Sequence, residues 1–270
     1  MLPFINLGKI HIPLYGLLIV AGILSAGFIV YRLCLFQKKN FYDFLIISAV
    51  GVGLGFLGAK LLYLLVTYGI KDFFPVLRMM LFDSSAAFLV GSGFVFYGGL
   101  IGGLAGYFLG IKIAKCDWLQ FLDISAFVIP FVQGFGRIGC FCAGCCYGIL
   151  YDGPLAVYYT NPLSDVPCGV GIFPVQLLEA FLLLLFSFVI LFFIIKKSKN
   201  QSQSRFLNLF IFIVYILFYS VLRFFIEFLR ADSMRGKIWI FSTSQLISLI
   251  LFFLSIIILI FLRKDFCKNE

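Results

Sequence analysis

The sequence predicts an all-α integral membrane protein with seven transmembrane helices, its N-terminus outside and its C-terminus in the cytoplasm. Three observations carry that prediction. Of 270 residues, 63% are hydrophobic and only 12% are charged, whereas a soluble domain carries about 45–50% apolar and about 25% charged residues. So few charges cannot cover a water-exposed surface, which excludes a soluble enzyme, a disordered chain and a secreted disulfide scaffold. Second, the apolar residues gather into seven long runs. Each has about the length a helix needs to cross a ~30 Å hydrocarbon core, and none shows the alternation of a β-barrel strand. Third, with the N-terminus outside, eleven lysines and arginines fall on the cytoplasmic side against six on the outer side, as the positive-inside rule requires.

Taken in order, the N-terminal MLPFINLGKIHI has no basic stretch ahead of a short apolar core and no cleavage site. It is expected to form an outer tail leading into a retained first span rather than a signal peptide. The predicted spans are 13–36, 42–68, 86–111, 119–140, 174–195, 206–229 and 238–262. One membrane-embedded domain is expected over 1–270, with outer loops around 69–85, 141–173 and 230–237. The inner side receives Lys38, Lys39, Lys112, Lys115, Lys196, Lys197, Lys199, Arg205, Arg263, Lys264 and Lys268. Basic loops facing anionic inner-leaflet lipid account for most of the net charge of +9, so no nucleic-acid partner is implied. In the second and third spans, Gly51, Gly55 and Ala59 and then Gly98, Gly102, Gly106 and Gly110 recur every four residues. Small residues at that spacing let backbones approach closely inside lipid. Tyr97-Gly98-Gly99 also leaves room for a lipid headgroup.

Charged groups within spans mark function, because burying them in hydrocarbon is costly. Arg137 stands among glycines in GFGRIGC at the outer end of the fourth span. Arg223, Glu227 and Arg230 follow i, i+4, i+7 spacing on one helix face. Two arginines for one carboxylate, with Arg137 in addition, leave surplus guanidinium charge at the outer interface. A phosphate, gripped bidentately, suits it. Glu179, one turn after Gln176, is placed to support an arginine. Asp43 and Asp123 lie toward the cytoplasm and read as structural. His11 is the only histidine, which removes histidine-rich metal sites. Cys140, Cys142, Cys145, Cys146 and Cys168 fall on the outer side. Their spacing lacks the paired C-x-x-C layout of a structural zinc site, so packing cysteines with one disulfide, open to Cys168, are expected, and a thiol relay is the sharper alternative. No cofactor or metal is expected.

Five segments, LYGLLIVAGI (14–23), FYGGLIGG (96–103), GRIGCFCAGCCYG (136–148), PVQLLEA (174–180) and RFFIEFLR (223–230), together resemble the prolipoprotein diacylglyceryl transferases of bacterial membranes. The resemblance implies a seven-helix transferase of the bacterial cytoplasmic membrane, with its active site facing the outer leaflet. Its donor would be phosphatidylglycerol, and its acceptor the lipobox cysteine in the signal peptide of a lipoprotein precursor. The products would be a thioether and glycerol phosphate. Arg137 aligns with the family's essential arginine, Arg223 and Glu227 with its second arginine and neighbouring carboxylate, and Tyr15 with its first-span tyrosine. The expected catalytic residues are Arg137, Arg223, Tyr97 and Glu227. The expected substrate-binding residues are Tyr15, Gly98, Gly99, Gly139, Gln176, Glu179 and Arg230. The chain departs from the pattern at Tyr97 and Phe173, which replace histidines, at Cys140, which replaces asparagine, and at Cys145, which replaces glutamate. Two other readings accompany this one: the same donor with a different acceptor, and a lipid-binding or transport protein without catalysis.

Overall fold

The computed structural model describes residues 4–7, 10–83, 93–160, 166–199, 205–231, 237–238 and 241–268. Seven helices in it are long and apolar enough to cross a membrane. They are α1 (Leu14–Gln37), α2 (Phe41–Phe82), α3 (Phe96–Ala114), α4 (Leu122–Ala143), α5 (Val175–Lys199), α6 (Arg205–Ile226) and α7 (Thr243–Lys268). A helix satisfies every backbone group within itself, which lipid demands. Short antiparallel pairs join some of the ends: β1 (Phe4–Leu7) with β2 (Ile10–Pro13), β3 (Val157–Tyr158) with β4 (Gly171–Ile172), and β5 (Lys237–Ile238) with β6 (Phe241–Ser242).

Boundaries of three helices differ from expectation, and in the last of them α7 begins at Thr243 instead of 238 because Phe241–Ser242 pairs as a strand with Lys237–Ile238. The region around 69–85 was expected as a loop, yet α2 continues helically through Phe82 after a break at Gly69, whose φ of 75° leaves the helical region. Beyond that break the helix continues through Pro75, and Leu77, Arg78, Met79, Met80 and Leu81 favour its last turns. The third span was expected to begin near 86; residues 84–92 lie outside the described residues, and α3 starts at Phe96. Gly93, at φ 68°, cannot be part of a right-handed helix with it.

The chain forms two compact units, Lys38–Trp118 and the remainder, Met1–Gln37 with Leu119–Glu270. In the first, α2 and α3 pack backbone to backbone along the four-residue glycine repeats. A Cβ on Gly98 would strike the Gly58 carbonyl, and one on Gly106 would sit 2.6 Å from the Val50 carbonyl oxygen. Lys60 is buried in this unit, its Nζ 5.0 Å from the centre of the Tyr63 ring and donating to the Gly93 carbonyl at 3.5 Å.

In the second unit α4 is central and packs against α1, α5 and α6, while α6 also packs against α7. At the start of α4, fully buried Asp123 accepts from Lys197 of α5 at 3.0 Å, and Lys197 also donates to Asn208 of α6. That ties three helices at one end and bears out the structural reading of Asp123. Pro130 interrupts the ladder of α4, and nearby the Ser187 hydroxyl of α5 donates to the Phe127 carbonyl at 2.9 Å. The other end of α4 carries Arg137.

Candidate active site

Arg137 projects from the second-last turn of α4, and its Nε lies 3.0 Å from Oε1 of Glu179 on α5. Glu179 is only 2% exposed, so the carboxylate end of this ion pair is screened from water, while the Arg137 side chain is 21% exposed. One turn earlier, Gln176 donates from Nε2 to the Cys145 carbonyl at 2.9 Å. That bond fastens the turn leaving α4 to the beginning of α5. On α6, Arg223 meets Glu227 at 2.8 Å, the i, i+4 pair the spacing predicts. Glu227 opens a short 3-10 turn, Glu227–Leu229, which ends the helix.

The two arginines share an electrostatic environment. The Glu179 carboxylate acts on Arg223 as well as on Arg137, and so does the phenol of Tyr219. Arg230 also lies within range of Arg223. The site therefore gathers three guanidinium groups around two carboxylates and retains a surplus positive charge. Arg223 is 8% exposed, and its Nη1 is buried without a hydrogen-bond partner among the described residues. A buried guanidinium donor without an acceptor costs free energy on the order of 1–3 kcal/mol, and an anion would relieve it.

Backbone bonds bring Arg230 to this place. The Ile149 amide donates to the Leu229 carbonyl at 3.0 Å, the Ala231 amide to Tyr147 at 3.1 Å and the Phe173 amide to Ile149 at 3.0 Å. The segment after α4 is thus laced between the end of α6 and the approach to α5. Gly148 permits that closeness, since a Cβ there would meet the carbonyl oxygens of Phe173 and Leu229. Below the segment, Tyr159 packs edge-on to Phe141, and burial pushes its phenol up to about 12.

Tyr15, at the beginning of α1, lies against Gly139 of α4. A Cβ on Gly139 would stand 2.8 Å from the Tyr15 ring, so the glycine is what admits the tyrosine. Tyr15 is also within electrostatic reach of Arg137, Cys140, Cys145 and Cys146. The structure thus gathers Tyr15, Arg137, Gly139, Gln176, Glu179, Arg223, Glu227 and Arg230 in one unit. Tyr97, Gly98 and Gly99 belong to the other unit, at the first turn of α3, where Gly98 faces Gly58 and Gly99 faces Ala59.

The chain matches the prolipoprotein diacylglyceryl transferase family over residues 3–261. It belongs to that family. A phosphatidylglycerol–prolipoprotein diacylglyceryl transferase of Clostridium tetani is 35% identical over 236 residues, covering 87% of each chain. A second such protein, from Clostridium perfringens, is 31% identical over 240 residues, covering 87% of this chain and 85% of its own. One from Helicobacter pylori is 28% identical over 274 residues, covering 96% and 93%.

In this member of the prolipoprotein diacylglyceryl transferase family, sequence reasoning passed over Tyr219. It lies one helical turn before Arg223, and that i, i+4 spacing was the signal available. The cysteines were expected as packing residues. The Sγ atoms of Cys140, Cys145 and Cys146 lie within 4.8 Å of one another, and none of these three is in a disulfide.

Proposed function

We propose that this membrane protein transfers the diacylglyceryl group of phosphatidylglycerol to the lipobox cysteine thiol in the signal peptide of a preprolipoprotein. Family membership supports the reaction class. The observation that carries the reading to these residues is the surplus guanidinium charge around Glu179, with its unpartnered Arg223 Nη1. A phosphodiester carries one negative charge and unsubstituted oxygens that can accept from two guanidinium groups. In the reaction, the acceptor sulfur attacks the glyceryl carbon, the carbon–oxygen bond to phosphate breaks, and glycerol phosphate leaves with the electron pair. Charge gathers on the leaving phosphate. Arg137 and Arg223 are assigned to stabilise it, and their ion pairs with Glu179 and Glu227 support that assignment by fixing their orientation.

Tyr15, braced on Gly139, and Arg230 are assigned to headgroup binding, and Gln176 to holding the turn after α4. Tyr97 is assigned as a positioning hydrogen-bond donor, with Gly98 and Gly99 beside it. The site is assigned to the outer leaflet of the cytoplasmic membrane, with the N-terminus outside and the C-terminus inside. The basic-residue distribution supports that orientation. A reporter fused at Glu270 should behave as cytoplasmic.

The direct test incubates the purified chain with phosphatidylglycerol vesicles and a lipobox peptide. Mass spectrometry should find the diacylglyceryl addition on the cysteine, and glycerol phosphate should appear in equal amount. Lipid turnover with an unmodified peptide would favour another acceptor. No turnover of the lipid would leave a binding protein.

A further inference from the structure

The sulfurs of Cys140, Cys145 and Cys146 converge within 4.8 Å of one another. Cys140 lies in the last turn of α4, and Cys145 and Cys146 follow the helix-ending Gly144. The Cys145 amide donates to the Cys140 carbonyl at 3.1 Å, and the Gln176 side chain holds the Cys145 carbonyl from the far side. Cys146 adopts φ 58°, a left-handed conformation that costs a non-glycine residue about 1–2 kcal/mol. With Gly144 also left-handed at φ 70°, the chain reverses tightly and sets the third sulfur against the first two. Strain of this kind persists where surrounding structure enforces it, and it accumulates at working sites.

We infer that Cys140, Cys145 and Cys146 form a three-sulfur site for a divalent zinc ion, whose open fourth position takes the acceptor thiol of the transfer reaction. This rests on the transfer reading above. Sulfurs around a tetrahedral zinc at ~2.3 Å stand about 3.8 Å apart, so the cluster needs only side-chain rotation to close on the ion. Three protein ligands with one position left open is the arrangement of catalytic rather than structural zinc. Charge also balances. Three thiolates around a dication leave one negative charge, and a fourth thiolate makes two. Arg137 and Arg230 both act on Cys146 and offset that charge. Gln176 supplies a further polar group beside the turn. Its Oε1 is buried without a partner among the described residues, in a side chain 1% exposed.

The chemistry follows from the coordination. The acceptor thiol displaces water from the ion and gives its proton to solvent, because a coordinating thiol is deprotonated outright. The bound sulfur attacks the glyceryl carbon, a carbon–sulfur bond forms, and the carbon–oxygen bond breaks toward the phosphate held by the arginines. The thioether carries no charge, binds zinc weakly and departs. No side-chain base is required.

The test uses the full chain, purified in detergent without chelator. Metal analysis should find one zinc per chain. Cobalt added to the stripped protein should give the absorption bands of a tetrahedral thiolate site, and a lipobox peptide should shift those bands, whereas its serine analogue should not. Cys142→Ser should leave the cobalt spectrum unchanged, while Cys140→Ser, Cys145→Ser and Cys146→Ser should each weaken metal binding. Stripping the ion should slow transfer by about 100-fold, the scale of a lost acid–base function, and zinc should restore it. A disulfide among the three cysteines in the isolated protein, or full transfer by a metal-free chain, overturns the inference while the transfer reading stands. A peptide-sensitive cobalt spectrum without any transfer overturns the transfer reading and supports the thiol site.

Discussion

The ion pair between Arg137 and Glu179 allows structure and chemistry to be separated in one experiment. Arg137→Gln leaves the Glu179 carboxylate, 2% exposed, without the partner now 3.0 Å away. Removing one member of a buried pair costs about 3–5 kcal/mol. The lower end applies here, because the Arg137 side chain is 21% exposed and Arg223 also acts on Glu179. Adding Glu179→Gln places two amides across the same gap, removes the uncompensated charge, and should return stability to within about 1 kcal/mol of the parent. Transfer should not return. Loss of one preorganised donor to a developing anion costs about 100- to 1000-fold in rate, and the double variant lacks that donor as surely as the single one. Thermal unfolding in detergent reads the first quantity and peptide modification with phosphatidylglycerol reads the second. If activity recovers together with stability, Arg137 is a structural ion-pair member and the phosphate assignment fails.

Further outcomes follow from other contacts. Gly139→Ala should lower stability by about 1–3 kcal/mol in thermal unfolding, the cost of overpacking, because the new methyl meets the Tyr15 ring at 2.8 Å. Lys197→Met removes an ion-pair partner of the fully buried Asp123 and should lower stability, by less than the about 3–5 kcal/mol of a fully broken buried pair because Asp123 keeps the Ile124 amide, and Asp123→Asn in the same chain should recover most of it. Tyr97→Phe should slow transfer about 10- to 100-fold, a loss of roughly 1.4–2.7 kcal/mol in the transition state. Full activity in that variant makes the ring a packing residue. Tyr159 gives a pH signature. The fold favours its protonated phenol, so that contribution is complete below about pH 10 and falls as pH rises through about 12. A Tyr159→Phe variant should lose this part of the alkaline destabilisation in unfolding measured against pH.

How much of this was legible in the sequence depended on the range over which each contact acts. The spans were, because lipid imposes one length and one backbone solution, and α1, α4, α5 and α6 begin and end within a few residues of the expected positions. The Arg223–Glu227 pair was legible too, since both partners sit on one helix. The partner of Arg137 was narrowed to a candidate by the motif around Glu179, but the contact crosses from α4 to α5, and periodicity holds no information on which helix faces which. The continuation of α2 to Phe82 was missed because Gly69, the charges at Lys71, Asp72 and Arg78 and the proline at 75 interrupt the apolar run, while the good helix formers at 77–81 carry the helix to its end. The sulfur cluster was hidden for a different reason. Its members are adjacent or nearly so in sequence, and what unites them is backbone handedness at Gly144 and Cys146, which a spacing rule for zinc ligands does not encode.

That cluster also orders the departures from the family pattern. The groups that would face the lipid phosphate, Arg137 and Arg223 with their carboxylates, stand as the resemblance implies. By the same resemblance, the groups that would handle the acceptor's proton differ: Tyr97 and Phe173 would stand for histidines, and Cys145 for a glutamate. Losing each candidate base separately would leave the acceptor thiol protonated near neutral pH, since a free thiol has a pKa of about 8.5. Two of the replaced positions, Cys140 and Cys145, are however two of the three convergent sulfurs. With zinc held by these two and by a third cysteine in a left-handed turn, coordination would take the place of proton abstraction by a side chain. The donor half of the reaction could then stay the same while the acceptor half would use a Lewis acid in place of a side-chain base.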